Sequence, residues 1–128
     1  MSVEIRGVAE TIVRLGRTKV IEILRPPIQR GLYRLQATMQ DYPPAPRTSR
    51  YIRTGTLGRR WTTSVTESGN GITGKVGNNT AYGPWVQSER FQTRFHKRTG
   101  WRTDQSAVDR ERAAIVADVE RTIQQALR

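Results

Sequence analysis

The chain has 128 residues, 35% of them apolar, and 22 basic against 11 acidic side chains give it a net charge of +11. That length fits one domain with a core of modest volume, and three Trp, four Tyr and two Phe exclude the profile of a disordered chain. There is no cysteine, so disulfides, thiol nucleophiles and cysteine-based zinc sites are excluded.

The opening Met1-Ser2-Val3-Glu4-Ile5-Arg6 has no apolar run of signal-peptide length. No segment reaches the ~18 apolar residues of a membrane span. A soluble chain, not exported by an N-terminal signal, is expected. Val3 and Ile5 alternate with Ser2, Glu4 and Arg6, predicting a short strand that Gly7 ends. Val8, Ile12 and Leu15 recur at helical spacing, predicting a short helix over residues 8–15 stopped by Gly16. From Thr18 a second pattern places Val20, Ile21, Leu24, Ile28, Leu32, Leu35 and Met39 on one face of a long helix. Pro26-Pro27 lies inside it. Each proline lacks an amide donor and crowds the preceding turn, so a kink, or two helices sharing a line, is expected.

Pro43, Pro44 and Pro46 forbid helix past Tyr42, and residues 43–53 read as an extended basic loop. A helical turn is expected within residues 54–59. From Trp61, alternation with many β-branched residues predicts a strand, and Ser68-Gly69-Asn70-Gly71 predicts a hairpin into a returning strand over residues 72–76. Gly77-Asn78-Asn79-Thr80 is a further turn. Residues 88–103 carry no clear period and read as an exposed or partner-ordered basic loop with little regular structure. Thr103 or Asp104 caps a last helix, whose stripe is Val108, Ile115, Val119, Ile123 and Leu127, with Arg112 in the one gap. These elements predict an α+β domain over residues 1–128: an antiparallel hairpin or small sheet against a long kinked helix and a C-terminal helix.

The charge is uneven. Residues 47–102 hold eleven basic residues and two acids, Glu67 and Glu89, and so carry +9 of the total. Nineteen of the basic residues are Arg, which suits bidentate contacts with phosphate or carboxylate. Within this segment Arg90, Phe91, Arg94, Phe95, Arg98, Trp101 and Arg102 interleave cations with rings. Together with Arg59, Arg60 and Trp85 they are the candidate interface or DNA-facing residues. Two readings stand: an assembly arm anchored by Trp and Arg, ranked first, and a nucleic-acid surface that stacks bases and neutralises phosphates. A charged, merely solvated surface is the bland alternative.

No constellation for catalysis is found. His96 is the lone histidine, without companions for a metal, and reads as a surface or stacking residue. Asp109, Glu111, Asp118 and Glu120 read as intrahelical partners of neighbouring arginines on a solvated face. Gly55 and Gly58 lack the phosphate-loop signature. No enzyme, cofactor or metal is expected.

In order, the strand ending in Gly7, the short and long helices, Thr54-Gly55-Thr56-Leu57 leading to Arg59-Arg60-Trp61, and Val76-Gly77 followed by Tyr82 and Pro84-Trp85-Val86-Gln87 make up a pattern. It resembles the gene-product-ten-like family of neck and tail-completion proteins of long-tailed phages. Gln87-Ser88-Glu89-Arg90 stands where that family has an acidic residue and an aromatic-Gly-Thr turn, and the closing helix lacks its Pro-Phe lead-in. The resemblance implies a homo-oligomeric, sixfold ring in the virion neck or head-proximal tail, assembled in the host cytoplasm. Its implied partners are a connector, tail terminator or tail tube, with non-specific contact to the DNA that passes through. Head-closure and tail-terminator rings are alternatives of the same kind, and a free basic nucleic-acid-binding protein is the alternative of another kind.

Overall fold

A computed structural model describes residues 2–6, 17–44, 56–68 and 71–127. The expected helix over residues 8–15 and the centre of the proline-rich loop lie outside the described residues. The chain is α+β: a three-stranded antiparallel sheet under two long helices. Its elements are β1 (Ser2–Arg6), α1 (Arg17–Met39), α2 (Thr56–Arg59), β2 (Trp61–Ser68), β3 (Gly71–Asn78), α3 (Gly83–Gln87), α4 (Arg94–Arg98) and α5 (Asp104–Ala126).

α1 is a single helix that runs through Pro26 and Pro27. The missing amides leave the carbonyls of Glu22 and Ile23 without their usual helical donors, a cost of about 3 kcal/mol for an interior proline. Burial outweighs it. Val20, Leu24, Ile28, Leu32, Leu35 and Met39 are each almost wholly enclosed, and Pro27 itself is buried. The unbroken apolar phase across the proline pair holds one helix on one sheet.

In the sheet, β3 is central, with β1 and β2 on either side. Val3 faces Val76 and Ile5 faces Gly74 on one edge; Thr63 faces Val76 and Val65 faces Gly74 on the other. Ile72, Gly74, Val76 and Asn78 point inward, and Thr73, Lys75 and Gly77 alternate outward. The predicted hairpin is present, with Ser68 opposite Gly71. Its two-residue tip lies outside the described residues. Gly71 belongs to the strand, with an extended backbone (φ 159°), so no left-handed turn conformation is required of it.

The sheet meets α1 most closely at Gly74. A Cβ there would stand 2.6 Å from Ile28 Cγ2 and 2.9 Å from Leu32 Cδ1. Both groups belong to buried branched side chains with little room to move. α5 packs on α1 and also touches β1. The helical layer is therefore α5 beside α1, with α5 over the β1 side and α1 over β3 and β2.

Thr103 is the N-cap of α5, in a reciprocal capping box with Ser106. Ala107, Glu111 and Ile115 form its most buried line, while Val108, Val119 and Ile123 border the core. Leu127 is 40% exposed, so the apolar stripe frays at its end. The gap in that stripe is filled by Glu111, and Arg112 is exposed. Replacing Gly74 by Ala is expected to destabilise the fold by about 1–3 kcal/mol through overpacking. Urea unfolding of the Gly74→Ala protein measures it.

Candidate functional site

The connections gather at one end of the sandwich, where α1 stops, α5 begins and β2 and β3 have their outer termini. The last turn of α1 needs donor partners for its carbonyls. Gln87, fully buried, donates from Nε2 to the Met39 carbonyl at 2.7 Å and so seats α3 beneath that terminus. Asn78 fixes α2, donating from Nδ2 to the Leu57 carbonyl at 2.7 Å and accepting the Thr80 amide at 2.8 Å. Trp61 donates from its indole nitrogen to the Tyr42 hydroxyl at 2.7 Å. The Tyr42 ring in turn lies 5.1 Å from that of Trp101. Burial raises the Tyr42 hydroxyl pKa, and the Trp61 hydrogen bond opposes the shift only in part.

Residues 88–103 hold one short helix, α4, among turns, and side-chain hydrogen bonds fix their path. Gln92 donates to the carbonyls of Val86 at 2.7 Å and Trp101 at 3.1 Å, closing the segment on itself. The Thr93 amide donates to the Trp85 carbonyl at 2.8 Å. Thr93 also caps α4, accepting from the His96 amide. Gly100, at φ +86°, turns the chain after α4 in a conformation that other residues adopt only with strain. Glu89 accepts the Thr103 hydroxyl at 2.6 Å, and its amide donates to Asp104 at 3.0 Å, tying the segment to the start of α5.

The candidate residues divide on this scaffold. Trp85, Phe91 and Phe95 are 54%, 47% and 49% exposed. Trp85 and Phe91 meet edge to face at 5.9 Å, and the Arg90 guanidinium lies 5.2 Å from the Phe91 ring centre. Arg94 and Arg98 stand one turn apart on α4, exposed and without an ion-pair partner among the described residues. Arg59, on α2, and Arg60, which follows it, are also exposed. Two candidates serve the chain's own structure. Trp101 is half-buried between Tyr42 and His96, and Arg102 pairs with Asp41 at 3.1 Å. His96 accordingly stacks edge-on with Phe95 and Trp101. Among the described residues no group of three or more His, Asp or Glu is placed to hold a metal.

A second feature escapes the sequence reading. Glu111 and Asp118 bridge the two helices as well as pairing locally. Glu111 accepts from Arg34 Nε and, at 2.9 Å, from the Thr38 hydroxyl. Arg30 grips Asp118 with two bonds, 2.8 and 3.0 Å, and Arg121 adds an intrahelical contact at 3.4 Å. Burial pushes the Glu111 carboxyl upward, but the hydrogen bonds from Arg34 and Thr38 and the charges of Arg34 and Arg110 outweigh it, leaving its pKa lowered. The Arg30 hydrogen bond is the chief cause of a lowered pKa at Asp118. The open cleft beside Glu111, about 490 Å³, is lined by Arg34, Thr38, Asp41, Arg102 and Arg110, with both carboxylates already paired to arginine.

No protein-family model, curated protein or solved structure matches this chain.

The lowered pKa values fix the direction of the acid response. Stability from these two carboxylates is complete above their ordinary values, 4.5 and 3.8, and is lost as pH falls through the lower folded values. Substituting Glu111→Gln together with Asp118→Asn is expected to lower stability at neutral pH and flatten its decline in acid. Urea midpoints at about pH 7 and about pH 3 test this.

Proposed function

We propose that the chain is a structural virion subunit of a tailed phage, forming a closed ring in the neck through which DNA passes. The order of an opening strand, a long helix, a hairpin and a closing helix, which the resemblance implies, supports it; the short helix it implies before the long one lies outside the described residues. The observation that carries the reading is the difference between the two flanks of the sandwich. Along β2 and α1, Tyr33 is 61% exposed beside an open cleft of about 270 Å³ lined by Arg25, Gln29, Leu32 and Val65. On the other flank, α5 exposes Val116 with Ala113 and Ala117. Two unlike surfaces on opposite flanks are what a heterologous, ring-closing contact uses, each copy offering one to its neighbour. The ring order implied by the resemblance is six. A head-closure or tail-terminator position would use the same flanks.

Electron microscopy of the virion neck is expected to show the chain as a ring around the channel, and its absence from purified particles would reject the reading. Replacing Tyr33 by Ala is expected to leave the isolated subunit folded but to weaken association by about 2 kcal/mol, as buried interface anchors do. In-vitro head–tail joining and circular dichroism measure the two effects.

A further inference from the structure

The basic end of the sandwich is not explained by contacts between flanks. Arg59, Arg60, Arg90, Arg94, Lys97 and Arg98 are all exposed there. None forms an ion pair among the described residues, whereas neighbouring Arg102 is paired with Asp41. A second copy of this chain has only part of its acidic side chains to offer them. Five of its eleven carboxylates, Glu4, Asp41, Glu67, Glu111 and Asp118, already face arginines or lysines of their own chain. A cluster of unpaired cations at one end suits a polyanion supplied by another molecule.

The rings narrow its class. Trp85 and Phe95 leave about half their surface open; Phe95 shares α4 with Arg94 and Arg98, and Trp85 meets Phe91, over which Arg90 lies. The backbone beneath them is closed by the Gln92 and Thr93 hydrogen bonds, so the surface is preorganised. Duplex DNA offers phosphates but keeps its bases stacked on each other. Unpaired nucleotides offer both phosphates and open base faces. We infer that the α3–α4 surface binds single-stranded nucleic acid, with Trp85 and Phe95 stacking bases while Arg94 and Arg98 neutralise phosphates. This inference does not depend on the ring reading, because the isolated subunit carries the whole surface.

Fluorescence anisotropy of the full chain with a labelled oligothymidylate of about 12 nucleotides tests it. Binding is expected to weaken about tenfold in Trp85→Ala and in Phe95→Ala. In the Arg94→Gln/Arg98→Gln protein the slope of log affinity against log salt is expected to become shallower by about 1.4, at about 0.7 for each phosphate no longer neutralised. Circular dichroism and thermal unfolding are expected to be unchanged. Should Trp85→Ala disturb α3, Phe95→Leu keeps bulk, removes the π face and reads stacking alone. Aromatic variants that bind like the parent, a matched duplex bound more tightly than the single strand, or no binding at low salt would overturn the inference. So would poly-L-glutamate binding that depends on Trp85 and Phe95 as strongly as the oligonucleotide does, which would identify an acidic protein surface instead.

Discussion

The structure depends on how closely α1 can lie on β3. Gly74 removes the one side chain that would hold them apart, and Ile28 and Leu32 occupy the space. That close approach fixes the height of α1 over the sheet, and α1 then serves as the support for the other layers. Its opposite side carries Arg30 and Arg34, which hold α5 through Asp118 and Glu111. Its C-terminus receives Gln87 and so locates α3. One helix thus touches the sheet, the second helix and the connecting end. This explains why a helix with two interior prolines remains whole: burial on several sides offsets a local penalty of about 3 kcal/mol for each proline.

The division between core and periphery follows from the same geometry. Exposed arginines of α1 meet the buried Glu111 and the half-buried Asp118 of α5, and these pairs fix the alignment of the two helices. At the connecting end the polar groups are more deeply placed. Gln87 and Asn78 satisfy carbonyls that would otherwise be buried without partners. The end is thereby made rigid from below while its upper surface remains charged and aromatic.

Much of this fold is legible in the sequence, and the exceptions have physical causes. The α1 stripe, the hairpin and the α5 cap rest on local periodicity and local hydrogen bonding, which a linear reading captures. Glu111 escapes such a reading because periodicity follows apolar residues and leaves carboxylates to solvent. Its position four residues after Ala107 and four before Ile115 is the available signal. The order of residues 88–103 comes from Gln92 reaching two carbonyls and from Trp101 lying against Tyr42, interactions that no local pattern encodes. The Thr93 cap of α4 is readable; the helix it starts is only five residues long. Of the candidate residues, exposure separates Trp85, Phe91 and Phe95 from Trp101, and composition alone treats them alike.

The position of β1 has a consequence for how the chain comes off the ribosome. Its partner residue Val76 follows Val3 by 73 positions. At a synthesis rate of about 5–20 residues per second, β1 emerges roughly 4–15 seconds before the strand it pairs with exists. The β2–β3 hairpin is local and can close within microseconds of emerging. The sheet therefore grows from its hairpin side, and the first strand made is the last to be added. Until then the exposed edge of β3 is a place where a neighbouring nascent chain could pair instead.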